Sequence, residues 1–145
     1  MKRLLPLTLL LASAAVAAER TPAGTIAVDM RGFRSDRGSM RVSLFASAKG
    51  YPGRHELALR AGTGRIKDRA AAFRFENIPH GTYAVSVLHD ENDNRKMDTN
   101  WLGIPKEGGG ASNNPKPRMG PPRFEDAKFV LRAPLLKMAI QIRYP

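Results

Sequence analysis

Residues 70–92 read AAAFRFENIPHGTYAVSVLHDEN, and their pattern decides the fold class. Phe73 and Phe75 lie two apart, Pro79-His80-Gly81 interrupts, and residues 82–89 alternate again. Tyr83, Val85 and Val87 share one face there, with Ala84, Ser86 and Leu88 on the other. Side chains of a strand project to opposite faces with period two, so each half reads as a strand with one face directed at a core. The short connection predicts that the two strands are antiparallel neighbours.

Working outward, the same period recurs on both sides. Ile26, Val28 and Met30 alternate with Ala27, Asp29 and Arg31, followed by the turn-forming Arg34-Ser35-Asp36-Arg37-Gly38 and by Met40, Val42 and Leu44. This predicts a first hairpin. Toward the C-terminus Ala127, Phe129 and Leu131 alternate, Ala133-Pro134 interrupts, and Leu136, Met138, Ile140, Ile142 and Tyr144 follow, which predicts a closing hairpin. His55 to Arg60 fits either a short helix or an irregular crossover. No segment has the length and 3.6-residue period of a long helix. The reading is an all-β chain: an immunoglobulin-like or transthyretin-like β-sandwich of about seven antiparallel strands, with a small closed barrel as the alternative.

Composition narrows the functional classes. The chain has 145 residues, 24 Lys+Arg against 13 Asp+Glu, and no cysteine. Absence of cysteine excludes a disulfide scaffold, a thiolate zinc site and a thiol nucleophile. Residues 1–18, MKRLLPLTLLLASAAVAA, place two cations before an apolar run and small residues, the layout of a secretory signal peptide cleaved after Ala18 or Ala17. The expectation is an exported protein, periplasmic or secreted, with a short leader over 19–24 and a single domain over 25–145. No stretch is long and apolar enough for a transmembrane span. Cleavage removes Lys2 and Arg3 but leaves the chain strongly basic. Arginines and lysines are scattered from Arg31 to Arg74 with little aromatic interleaving, which argues against nucleic acid as a partner. Anionic envelope components are the alternative partners of such a surface.

Between the strand ending at His89 and the one near Ala127 lies a long loop, residues 91–123, with five glycines and five prolines. Loops of this length in compact domains carry function or lack order, and Trp101, Leu102 and Ile104 are apolar anchors that favour order. The loop opens on an acidic run in which oxygen side chains recur at Asp90, Asn92, Asn94 and Asp98. Calcium takes six to eight oxygen ligands, and this spacing matches positions 1, 3, 5 and 9 of an EF-hand loop, with the Lys96 carbonyl at position 7 and Met97 at the packing position 8. Two positions depart from the pattern: Arg95 stands where the sharp turn wants glycine, and Trp101 where a bidentate glutamate belongs. Glu107 or Asn100 could close the set. A plain Asx turn is the competing reading of the same run.

The string FENIPHGTYAVSVLHDENDNRKMDTNWLGIPKEGGGASNN, followed by GPPRFEDAKF, resembles the bacterial family known as domain of unknown function 2141, from about Thr25 to Tyr144. The resemblance implies a small exported β-sandwich and no established activity. In that family glycine usually stands at the position of Arg95 and an aromatic at that of Ala111. Phe75 to Tyr83 is also similar to transthyretin-like and carboxypeptidase-regulatory-like modules, which implies a turn glycine at Gly81 and a corner-packing Tyr83.

Other chemistry is sparse. His55, His80 and His89 have no zinc spacing, His80 reads as a solvated turn residue, and His89 reads as a strand-end residue or as the base of a metal-dependent hydrolase. No serine has an evident His/Asp pairing, and Gly108 to Gly110 lacks the strand-to-helix context of a phosphate loop. Asn113, Asn114 and Arg118 form a donor-rich segment that, with Trp101, is a candidate ligand contact. The sequence therefore points to an exported, non-catalytic binding or accessory protein with a Ca²⁺ loop at Asp90, Asn92, Asn94, Lys96 and Asp98.

Overall fold

In a computed structural model, which describes residues 20–145 together with Lys2, Ser13 and Ala15, two β-sheets face each other across one apolar core. The signal-peptide reading falls almost wholly on residues outside that description. The strands are β1 (Ala23–Arg31), β2 (Ser39–Phe45), β3 (Arg60–Gly64), β4 (Ala70–Pro79), β5 (Gly81–Asp90), β6 (Gly109–Ala111), β7 (Phe129–Leu131) and β8 (Leu135–Gln141). One helical turn, α1 (Phe124–Ala127), precedes β7, and a 3-10 turn occupies His55–Leu57. The smaller sheet has the order β4-β1-β8; the larger runs β3-β2-β5, with β6 and β7 both paired to β5. Among the described residues no helix is long and apolar enough to cross a membrane.

The expected faces are the ones that pack. Ile26, Val28 and Met30 from β1, Met40, Val42 and Leu44 from β2, Val85 and Val87 from β5, and Ile140 from β8 are all buried in the core. An extra residue near Asn77, which holds a left-handed φ of 54°, shifts the register of β4 between Phe75 and Ile78 and so returns Ile78 to the core side. Such a bulge breaks strict alternation at one place. The outer face of β5 is covered as well. Residues 46–59 fold back over it, where Ser86 Oγ donates to the Pro52 carbonyl at 2.9 Å and Tyr51 packs edge-on against Phe45 and Phe124.

Strand pairing departs from expectation. None of the three predicted hairpins forms: β1 pairs with β4 and β8, β2 with β3 and β5, and β7 with β5, so each short connection crosses from one sheet to the other. Alternation reports which face is apolar and is silent on which neighbour a strand takes. The connectors carry the reason. Phe33, in the link between β1 and β2, is itself buried between the sheets, and the linking His80 donates its amide to the Pro22 carbonyl at 2.9 Å rather than across a hairpin. Pro79-His80-Gly81 also lacks the Asn-Gly or Asp-Gly chemistry of a two-residue hairpin. A second difference is that β1 and β8 run parallel, whereas an all-antiparallel arrangement was expected. β3 and the three-residue β6 escape the pattern because Arg60–Gly64 and Gly109–Ala111 carry almost no large apolar side chains.

Candidate metal loop at the end of the larger sheet

β5 delivers Asp90, fully buried, to the end of the sandwich, and the chain turns around its carboxylate. Asp90 Oδ1 accepts the amide of Asn94 at 3.1 Å and Oδ2 that of Arg95 at 2.7 Å. Asn92 Oδ1 accepts from the Asn94 amide at 3.3 Å and Asn94 Oδ1 from the Lys96 amide at 3.2 Å, two successive Asx turns. Both asparagine Nδ2 groups donate to Asp98, each at 2.6 Å. Arg95 takes a φ of 68°, the left-handed conformation for which position 6 of an EF-hand loop uses glycine. The sharp turn that wants glycine is made with the arginine in place.

Beyond Asp98 the chain forms a small hairpin. Thr99 bridges Pro105, the Lys106 amide donates to the Asp98 carbonyl at 2.8 Å, and the Asn100 amide donates to Ile104 at 2.8 Å. The return strand brings Glu107 beneath the acidic run. Its buried carboxylate accepts from the Glu91 amide at 2.6 Å and the Asp98 amide at 3.0 Å. Burial raises the Glu107 carboxyl above the ordinary glutamate range, with the Asp98 and Asp90 charges acting in the same direction, while hydrogen bonds from Asn94 and Asn92 lower Asp98. Asp98 therefore ionises first.

Asn92 and Asn94 thus meet Asp98 through their side chains, while the Asp90 and Glu107 carboxylates hold the same loop through its backbone amides. Among the described residues no three of His, Cys, Asp and Glu come together at metal-binding spacing, so Asp90, Asp98 and Glu107 do not by themselves form a carboxylate cluster, and any cation here would also draw on the two asparagine amides. The oxygen chemistry of these side chains fits a hard cation such as Ca²⁺ and offers nothing to a soft one. Glu107 closes the loop on the Glu91 and Asp98 amides, and its return through the hairpin puts it there.

The other candidates are distributed differently. Trp101, Leu102 and Ile104 are not anchors: they are 91%, 61% and 47% exposed at the tip of the hairpin. The loop is ordered instead by Glu107 and by β6, which pairs with β5. Asn113 Nδ2 donates to the Lys128 carbonyl at 2.8 Å. Asn114 receives the Gln141 amide at 2.8 Å and donates to Ala139 at 3.0 Å, so both amides are engaged within the chain. Arg118 lies 3.5 Å from Asp126.

His89 is fully buried. Its Nε2 lies 2.7 Å from the Arg37 carbonyl, which can only accept, so Nε2 carries the proton and Nδ1 accepts from the Tyr144 hydroxyl at 2.7 Å. Tyr144 accepts in turn from the Arg34 amide at 3.0 Å. The Arg34 guanidinium stacks over Tyr144 and pairs with Glu91, which ties this relay to the acidic loop. Sequence separations of 52 and 55 residues left no local signal for it. His80 is less solvated than its turn position suggests, because its Nε2 is shielded and without a partner. Ser43 Oγ and His55 Nδ1 come within 2.8 Å beside a hollow of about 250 Å³, a pairing that the sequence did not reveal. No carboxylate orients that ring among the described residues, and buried Ser43 serves to pin residues 46–59 to the sheet. Tyr83 donates to the Pro79 carbonyl at 2.7 Å, fixing the corner between β4 and β5.

Neither the curated proteins nor the solved structures yield a match to this chain. A family model does: that of the bacterial family described as "Uncharacterized protein conserved in bacteria (DUF2141)" matches residues 28–138, a span that runs from the second half of β1 through β2 to β7 into the start of β8 and holds the whole acidic loop. With well over half of its length matched, the chain belongs to the DUF2141 family.

Proposed function

We propose that this is an exported, non-catalytic β-sandwich binding protein whose acidic loop takes a calcium ion and thereby holds the Trp101 hairpin in position for a ligand. The observation that carries this reading is the turn around Asp90 whose sixth residue is left-handed and in which the Asn92 and Asn94 side chains converge on Asp98, with Glu107 holding the Asp98 amide. Bound there, the ion supplies positive charge where two asparagine amides now face Asp98. Rotation of those amides presents oxygen in place of nitrogen, the two ends being equivalent in shape. Engagement of both His89 nitrogens supports the non-catalytic reading over a hydrolase built on that residue.

A site with amide ligands and few charges belongs with the weaker calcium sites, of Kd ~10⁻⁴–10⁻³ M. At tens of Kd the ion then adds roughly 2 kcal/mol of native-state stability by linkage. The test compares thermal melts in EGTA and in millimolar CaCl₂, with titration calorimetry, for the wild type and Asp98→Ala. Asp98 is only half-buried, so this variant keeps the buried Asp90 and Glu107 contacts. A rise of several degrees in wild type and none in the variant is expected. Identical melts and no heat of binding at millimolar Ca²⁺ would reduce the run to an Asx turn.

A further inference from the structure

The hairpin that returns Glu107 ends in an apolar tip built to stay exposed. Gly103, at φ 78°, donates its amide to the Asn100 carbonyl at 2.9 Å. Asn100 Oδ1 accepts the amides of Leu102 at 2.9 Å and Ile104 at 3.0 Å. One asparagine thus satisfies the turn's backbone and leaves the Trp101, Leu102 and Ile104 side chains pointing away from the core. Trp101 is the only tryptophan of the chain, and it is 91% exposed. Three large apolar residues exposed on one hydrogen-bonded turn mark an interaction site, because water alone gives no reason to present them there.

The charge around the tip selects the partner. Arg95 and Lys96 on the approach and Lys106 on the return are exposed, and none forms an ion pair among the described residues. The nearby acids are engaged within the chain: Glu107 is buried, Glu91 is paired with Arg34, Asp98 is held by Asn92 and Asn94, and the exposed Asp93 accepts from the Ser39 hydroxyl. An amphipathic indole and two aliphatic side chains on a loop whose two arms carry exposed cations match a surface that is apolar within and anionic at its face.

We propose that the tip Trp101-Leu102-Gly103-Ile104 docks into the interface of an anionic phospholipid bilayer, with Arg95, Lys96 and Lys106 meeting the lipid phosphates. The turn at the tip is closed by Asn100 and Gly103 without an ion, so docking is tested in EGTA, where any effect of calcium on the placing of the hairpin does not enter.

The single tryptophan reads the event directly. Purified protein is titrated with vesicles of equal phosphatidylglycerol and phosphatidylcholine, following Trp101 emission and its quenching by brominated lipid. The expected result is a blue shift with quenching, absent with pure phosphatidylcholine and weakened at least tenfold on raising salt from about 0.05 to 0.5 M, since screening removes the electrostatic part. Leu102→Ser/Ile104→Ser, which alters only exposed side chains and keeps the reporter, partitions at least tenfold more weakly. An unshifted emission on anionic vesicles, or a double variant that partitions like wild type, overturns the proposal. So does a blue shift that grows with protein concentration without vesicles, which identifies a second copy of the chain as the occupant.

Discussion

Arg95 illustrates how one residue can carry local strain for the sake of a neighbourhood. A side chain in the left-handed region costs about 1–2 kcal/mol, and here the Asp90 carboxylate holds the arginine there through its amide. Because Arg95 is exposed, Arg95→Gly relieves strain at the expense of some added unfolded-state entropy. A net gain of roughly 0.5–1 kcal/mol in urea unfolding is expected. His55 gives the pH dependence. Burial lowers its pKa, with the Arg41 charge assisting, so the folded protein resists a proton that the unfolded chain accepts near pH ~6.5. Stability is therefore full above that pH and falls as the pH drops through and below it toward the folded value. In His55→Gln the urea midpoint measured from about pH 7.5 to pH 5 has a shallower decline than in wild type.

Among the elements, β8 shows how a strand edge is closed without another strand. Its inner edge pairs in parallel with β1; on its outer edge the Asn114 amide takes the place of a backbone, accepting from the Gln141 amide and donating to the Ala139 carbonyl. A left-handed φ of 44° at Asn114 aims the side chain at that edge, and asparagine tolerates this conformation better than most residues. An open edge invites pairing with other chains. Asn114→Ala removes both bonds while leaving the core untouched. A loss of about 1–2 kcal/mol is expected, with faster hydrogen exchange at the Gln141 amide than at amides of the β1–β8 ladder. If Gln141 exchanges no faster, the amide bridge adds nothing to the edge.

Across the whole molecule the excess of 24 basic over 13 acidic residues sets the electrostatics. The ion pairs that form are all at least partly exposed, which makes them weak contributors. Self-repulsion of the remaining charge opposes compaction. Raising the salt from about 0.01 to 0.3 M shortens the screening length from ~30 Å to below ~10 Å. The urea midpoint is expected to rise over that range; a midpoint that falls would mean the exposed ion pairs outweigh the net repulsion.

The sequence by itself determined the all-β class, the core faces of Ile26-Val28-Met30, Met40-Val42-Leu44 and Val85-Val87, the position of the long loop and the oxygen-rich run from Asp90 to Asp98. These follow from local rules, the period of a strand and the chemistry of consecutive side chains. Only the tertiary structure decided which strands pair, because alternation is the same for a hairpin and for an arch between sheets. Burial of Phe33 in a connector is what turns one into the other. It also decided that Glu107 returns to bond the Glu91 and Asp98 amides and that Trp101 faces outward. Both depend on a hairpin turned by Asn100 and Gly103. The relay from Arg34 through Tyr144 and His89 to Arg37 was hidden for the same reason: distant residues meet only once the two sheets have closed on a common core.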